Sequence, residues 1–211
     1  MTGLSVLLLG IALGLRHATD PDHVVVVSAL VQRQPGVWKA ARIAALWGAG
    51  HTAAFLGVGL LVLLAEVRIP EAFERLAELL VASMLIAFGC WHIATSRTSF
   101  DQLPGATQPA SNGARPVLIG LVHGLAGSAG IALLAATTIA SRPLAVAYLG
   151  LFGLGTVLGM VALTMLLARP ISRTMRRDGF VKQGVTILAA LLSMMLGAIV
   201  LVQALGGEGA P

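Results

Sequence analysis

Long apolar stretches separated by short polar segments dominate the chain and predict membrane-spanning helices. A helix that crosses about 30 Å of hydrocarbon needs about 20 mostly apolar residues. Six stretches have this length, at roughly 4–31, 40–65, 76–96, 116–140, 144–168 and 181–205. The pattern therefore predicts an all-α polytopic membrane protein with six transmembrane helices, forming a single transmembrane domain over residues 1–211.

Short motifs of the first half of the chain return in the second half. GLRH at 14–17 recurs as GLVH at 120–123, WGAGHT at 47–52 has a weaker counterpart in FGLGTV at 152–157, and LLVASML at 79–85 has one in ALLSMML at 190–196. Each half holds three spans, so the second half would lie upside down relative to the first. We predict two inverted three-helix repeats, 1–96 and 116–211, joined by a cytoplasmic loop at 97–115 that is rich in turn-forming residues.

Composition agrees with a membrane protein and indicates its orientation. Charged residues make up 11% of the chain, against about 25% in soluble domains, and the mean hydropathy is +0.90. If the N-terminus is outside, the cytoplasmic side receives ten basic residues and the outer side three, which predicts that both termini face outward. The cytoplasmic set is Arg33, Lys39, Arg42, Arg97, Arg115, Arg169, Arg173, Arg176, Arg177 and Lys182; the outer set is Arg68, Arg75 and Arg142.

The segment GLRHATDPDHVVVV, at 14–27, interrupts the first apolar stretch with charged and imidazole groups. Each Asp or Arg at the centre of a membrane helix costs about 2.5–3.5 kcal/mol, whereas each Leu, Ile or Val returns only about 0.3–0.6 kcal/mol. Arg16, Asp20 and Asp22 are therefore expected to face the interior of the bundle and to be paired. A structural Arg16–Asp20 pair would account for two of them and would leave Asp22 and the two neighbouring histidines unexplained.

A proline at the centre of this segment predicts a break in the first helix. On a regular helix at about 100° per residue, His17 and His23 would point about 240° apart and would share no ligand. Pro21 lacks an N–H, its ring clashes with the carbonyl of His17, and Asp20 before it is biased away from helical angles. We predict that the first helix is broken at Pro21, which would allow His17, Asp22 and His23 to converge on one ion.

The ligand types restrict the metal, and a second histidine extends the candidate site. Imidazoles combined with a carboxylate suit borderline divalent ions, namely nickel, cobalt and zinc, with iron and copper as further candidates. They fit calcium and magnesium poorly. In the second span, GAGHTAAF surrounds His51 with small residues, including Thr52, which permit close approach of helices. We predict that His51 is a further ligand; the alternative is a buried histidine that hydrogen-bonds to a neighbour.

Two other histidines receive different interpretations. His123, in HGLAGSAG, occupies the inverted counterpart of His17 and forms a candidate second-half site with Ser128. Ligand and structural roles for His123 remain open. A serine-nucleophile interpretation of AGSAG lacks a nearby general base, and close helix packing explains its glycines more simply. His92, near the end of the third span, is predicted to be structural.

These motifs are similar to those of a known family. RHATDPDH resembles the His-x4-Asp-His signature of the nickel/cobalt transporter (NiCoT) family, with Pro21 where that family usually has alanine, and GHT at 50–52 is similar to its second motif. The six-span plan and HGLAGSAG resemble its short branch of urease accessory transmembrane (UreH-like) proteins. The resemblance implies metal-binding roles for His17, Asp22, His23 and His51, with Arg16 and Asp20 in support. Pro21, through the break, and Thr52, beside His51, are expected to support the same site.

The same resemblance implies transport of Ni²⁺ and/or Co²⁺ across the bacterial inner membrane. Related efflux proteins carry a histidine-rich loop, and 97–115 contains no histidine, so uptake is favoured. The alternatives are efflux through the same site, export of an anion or small solute bound by Arg16, and a sensor or accessory protein.

Five dispersed histidines are too few for a di-iron membrane enzyme, so no enzyme is expected. No resident cofactor is expected, because the metal is the substrate, and the partners are the ion and the lipid bilayer, without nucleic acid.

Overall fold

A computed structural model describes residues 2–32, 36–66, 69–96, 114–125, 130–175 and 179–206, which form eight helices and no strand. The helices are α1 (Gly3–His17), α2 (Pro21–Gln32), α3 (Val37–Leu64), α4 (Glu71–Ser96), α5 (Ala114–Gly124), α6 (Gly130–Thr137), α7 (Arg142–Met175) and α8 (Gly179–Gly206). Within the described ranges, four segments are long and apolar enough to cross a membrane: Val37–Leu64, Glu71–Ala94, Arg142–Ile171 and Gln183–Gly206. The predicted all-helical membrane class is confirmed.

The first predicted span consists of two helices that meet at the predicted break. α1 ends at His17 and α2 begins at Pro21, where the missing N–H of proline removes no intrahelical hydrogen bond. The carbonyl of His17 accepts the N–H of Asp20 at 3.0 Å, and the carbonyl of Arg16 accepts the N–H of Thr19 at 2.8 Å. These tight turns satisfy the backbone at the end of α1, so the chain changes direction without losing those hydrogen bonds.

The fourth predicted span, 116–140, contains two helices among the described residues. α5 ends at Gly124 and α6 begins at Gly130. The N–H of Leu125 closes the last turn of α5 on the carbonyl of Val122 at 3.4 Å. Glycine is about 1 kcal/mol less favourable than alanine inside a helix, which favours the end of α5 at Gly124. Residues 126–129, and 97–113 of the predicted cytoplasmic loop, lie outside the described residues.

Helices from the two halves of the chain are interleaved. α1 packs along α7, α5 packs along α3, α3 also packs along α7, and α4 packs along α8. Glycines allow the closest of these contacts: an added Cβ at Gly14 would overlap the carbonyl of Phe152, and one at Gly120 would overlap the carbonyl of Trp47. α1 and α5 therefore each lie directly against a long helix from the other half of the chain.

Two apolar clusters flank the centre of the bundle. One contains Trp47, Leu85 and Met160, and the other contains Tyr148 and Phe152. Trp47 is completely buried, and Phe152 is nearly so. Polar groups that lie between these clusters are therefore shielded from solvent, which strengthens electrostatic interactions among them.

Candidate metal centre

Four histidines from four helices converge between the apolar clusters. His17 ends α1, His23 lies in the first turn of α2, His51 lies within α3, and His123 lies near the end of α5. All four side chains are buried. The ring of His23 is central, with its centroid 4.6 Å from that of His17, 5.0 Å from that of His51 and 4.8 Å from that of His123. We call these four residues the histidine cluster.

The break between α1 and α2 is what brings His17 and His23 together. Their rings meet edge to face at an interplanar angle of 67°, although six positions of uninterrupted helix would direct them to different sides. The turn through residues 18–20 instead directs both rings to the same side of the chain, where their centroids lie 4.6 Å apart. The sequence predicted this approach of His17 and His23. That these residues bind metal remains a prediction.

The carboxylate of Asp20 sets the orientation of His17. Asp20 Oδ2 lies 2.8 Å from His17 Nδ1, and because a carboxylate only accepts, Nδ1 carries the proton and donates it. The other ring nitrogen, Nε2, then presents a lone pair and lies 3.1 Å from Nε2 of His51. Without a cation, the His51 nitrogen would donate to it; a metal ion between the two nitrogens would take the place of that proton.

Asp22 contacts histidines from both halves of the chain. Its Oδ1 accepts from His23 Nδ1 at 3.1 Å, and its Oδ2 lies 2.9 Å from His123 Nε2. The second approach is short but too far from the N–H direction of the ring for a hydrogen bond, so we treat it as an electrostatic contact. Because His23 Nδ1 donates to Asp22, the lone pair of His23 is on Nε2, which is buried and has no hydrogen-bond partner.

Two groups of side chains have the spacing of metal ligands. One is His17, His23 and His51; the other is Asp22, His23 and His123, and within each group the ligand atoms lie within 4.8 Å of one another. Ligands on opposite sides of an ion lie about 4.2 Å apart when metal–nitrogen distances are about 2.1 Å. Small side-chain adjustments would therefore close either group around an ion.

Several buried polar atoms of the cluster lack hydrogen bonds, which itself points to a ligand. They include Nε2 of His23, Nδ1 of His51 and both ring nitrogens of His123. More than about 90% of buried polar groups in folded proteins have a partner. Several such atoms in one place favour a bound group that supplies the missing interactions.

Aromatic rings close the cluster on two sides. The ring centroid of Trp47 lies 5.5 Å from that of His23 and 5.6 Å from that of His123, and the centroid of Phe152 lies 5.4 Å from that of His17. Sequence reasoning missed both aromatic residues. The signal was present in the repeated motifs, because each of the two begins with an aromatic residue followed by glycine, WG at 47–48 and FG at 152–153.

The remaining predicted residues belong to neither group of candidate ligands. Thr52 donates from Oγ1 to the carbonyl of Gly153 at 3.2 Å and so links α3 to α7. Arg16 is exposed, and Pro21 is the exposed first residue of α2. His92 is buried elsewhere, in α4, where it lines a small cavity. Ser128 lies outside the described residues.

Comparison with known proteins gives one informative similarity. Over 184 residues the chain is 33% identical to the urease accessory protein UreH of Bacillus sp. (strain TB-90). The aligned region covers 82% of this chain and 81% of that protein. No family model matches the chain, and no solved structure matches it.

Proposed function

Because the chain belongs to the UreH family of urease accessory proteins, we propose that it transports Ni²⁺ or Co²⁺ across the bacterial inner membrane through the histidine cluster. The observation that carries this proposal is the convergence of His17, His23 and His51 with ligand spacing inside an apolar bundle. The family follows from the similarity to UreH. The imidazole and carboxylate ligands favour a divalent transition metal as the substrate. Among these metals, the resemblance of RHATDPDH to the nickel/cobalt transporter signature favours nickel and cobalt.

The chemistry of the cluster favours a borderline divalent ion. Neutral imidazoles bind nickel, cobalt and zinc well. The carboxylates of Asp20 and Asp22 contact the cluster directly, so their two negative charges balance a divalent cation and limit the cost of burying it. Export of an anion would require Arg16 as the binding charge, and Arg16 is exposed, whereas the four histidines are buried. The cation proposal is therefore the better supported one.

The proposed architecture is six spans in two inverted repeats, 1–96 and 116–211, with the first and fourth spans broken. Equivalent contacts in the two halves support it: Gly14 and His17 meet Phe152, whereas Gly120 and His123 meet Trp47. Transporters built from inverted repeats place their substrate sites near the midplane, at broken helices. The distribution of basic residues supports termini on the outer side, and uptake remains the proposed direction.

Access to the cluster from the two sides is proposed to depend on the short helices. The sequence halves are interleaved, since α1 lies on α7 and α5 lies on α3, and they do not form two separate bodies that rock against each other. Close glycine–backbone contacts hold α1 and α5 against the long helices, whereas α2 contains no glycine and packs on α7 and α8, with Val26 and Val27 in the apolar cluster of Trp47. Movement of α2 about the turn at 18–20 would open the cluster while the long helices stay in place.

The direct test of this function is uptake of radiolabelled nickel and cobalt into cells or proteoliposomes. We expect His17→Ala and His51→Ala to lose most of the uptake, because each removes an imidazole from one ligand group. His92→Ala is the matched control, since it removes another buried membrane histidine from outside the cluster. The variants are compared at equal membrane abundance, and undiminished uptake by both cluster variants would exclude the proposed function.

Removal of the Asp20 charge tests whether the carboxylate that accepts from His17 Nδ1 strengthens metal binding by His17. The Asp20→Asn variant retains an oxygen that accepts from His17 Nδ1 but loses the negative charge beside the ring. Loss of such outer carboxylates costs about 10–100-fold in metal affinity, and we expect a decrease of that size in Ni²⁺ affinity measured by isothermal titration calorimetry. Glu66→Gln, which alters an exposed carboxylate paired with Arg142, should bind as the unaltered protein does. Equal affinities for the two variants would contradict the role assigned to Asp20.

A further inference from the structure

His23 is the residue that the two ligand groups have in common. The group of His17, His23 and His51 is formed by α1, α2 and α3, all from the first half of the chain. The group of Asp22, His23 and His123 adds a ligand from α5, in the second half. An ion that passed from the first group to the second would exchange His17 and His51 for Asp22 and His123 while it stayed bound to His23.

We propose that the histidine cluster provides two overlapping binding positions for a single ion and that the ion is handed from one to the other across His23. This inference rests on the proposed function and extends it with a role for His123. We call the group of His17, His23 and His51 the first position, and the group of Asp22, His23 and His123 the second position. Occupation of one position excludes occupation of the other.

The exclusion follows from the chemistry of the shared ring. A neutral imidazole has one nitrogen with a free lone pair, because the other carries the proton. His23 can therefore hold an ion in only one of the two positions at a time. Repulsion between two divalent ions in a buried site also disfavours simultaneous occupation of the two positions. The cluster binds one ion although it contains enough side chains for more.

Asp22 has a different task in each position. With the ion in the first position, Asp22 accepts the proton-bearing Nδ1 of His23 at 3.1 Å and holds that ring in place. With the ion in the second position, Asp22 becomes a ligand beside His123, whose Nε2 already lies 2.9 Å from Oδ2. The exchange replaces one of three imidazole ligands by a carboxylate, so the two positions differ in donor set and therefore in their spectroscopic signature with Co²⁺.

The environment of His123 argues against a purely structural role. Its side chain is only 1% exposed, and neither ring nitrogen has a hydrogen-bond partner. A buried histidine retained for structure would be expected to satisfy at least one of these atoms. The ring is held by packing against Trp47 and His23, with one nitrogen directed close to the carboxylate of Asp22. The position of the ring beside His23 and Asp22 is the one expected of a ligand in the second position.

The experiment measures Co²⁺ binding to the purified full chain together with uptake. The unaltered protein should bind one equivalent of Co²⁺. His51→Gln should retain the second position and His123→Gln the first, so each should still bind one equivalent, with visible absorption spectra that differ from each other. Each should also lose uptake by about tenfold or more, because the hand-over needs both positions. The double variant should lose measurable binding, and His92→Gln should behave as the unaltered protein does.

Several outcomes would overturn the hand-over, and they are distinct from failure of the proposed function. Two equivalents bound by the unaltered protein would exclude mutually exclusive positions. Complete loss of binding in either single variant would indicate one site that needs all its ligands. Unchanged uptake and spectrum in His123→Gln, in a protein that binds and transports metal, would leave His123 without a role. Absence of metal binding by the unaltered protein would instead remove the proposed function itself.

Discussion

His23→Ala is expected to abolish both binding and uptake of Ni²⁺, and to do so more completely than any other single replacement in the cluster. His23 belongs to both ligand groups, so no alternative set of three ligands survives its removal. Replacement of an outer carboxylate costs about 10–100-fold in affinity, and loss of a ligand from both positions should exceed about 100-fold. Calorimetric titration of the purified protein and uptake of the radiolabelled ion measure the two effects.

A destabilised fold must be separated from a lost ligand in this experiment. The His23 side chain is completely buried and packs beside Trp47, so truncation leaves a cavity that lowers stability to some extent. His92→Ala controls for this effect, because His92 is also buried but lies in another part of the bundle. Thermal unfolding of both variants shows whether the bundle is intact. An intact His23→Ala protein that binds Ni²⁺ with unchanged affinity would exclude the shared-ligand arrangement.

The parts of the site that sequence reasoning located depend on local covalent chemistry. The break at Pro21 follows from the missing N–H and from the clash of the ring with the carbonyl of His17. Given that break, the approach of His17 to His23 is a local consequence that requires no knowledge of the other helices. The hydrogen bond between Asp20 and His17 is likewise made within one turn of chain, over three residues.

The parts that sequence reasoning did not locate depend on contacts between distant helices. Asp22 and His123 lie next to each other because α2 and α5 both pack against α3, and hydropathy alone contains no information about which helices pair. The break after Gly124 was missed for a related reason. GLAGSAG was interpreted as a helix-packing segment, although the inverted repeat, applied strictly, would have required a broken fourth span to match the broken first one.

The pairing of α5 with α3 depends on a glycine, and Gly120→Ala tests how much of the site depends on that pairing. A Cβ at position 120 would overlap the carbonyl oxygen of Trp47 and would lie 2.8 Å from the backbone nitrogen of His51. Both atoms belong to the backbone of α3 and cannot rotate away as a flexible side chain would. We therefore expect α5 to be displaced from α3, and His123, one turn further along α5, to move away from Asp22 and Trp47.

The expected result is a loss of stability accompanied by a loss of uptake. Overpacking of this kind costs about 1–3 kcal/mol, of which the better helix propensity of alanine returns about 1 kcal/mol. Each remaining kcal/mol corresponds to about 2–4 °C in Tm for a chain of this size. Gly57→Ala is the matched control, because Gly57 lies in α3 with nothing within 4 Å of an added Cβ, and it should unfold at the same temperature as the unaltered protein or slightly higher. Equal Tm values and equal uptake for Gly120→Ala and Gly57→Ala would show that close packing of α5 on α3 does not hold His123 at the cluster.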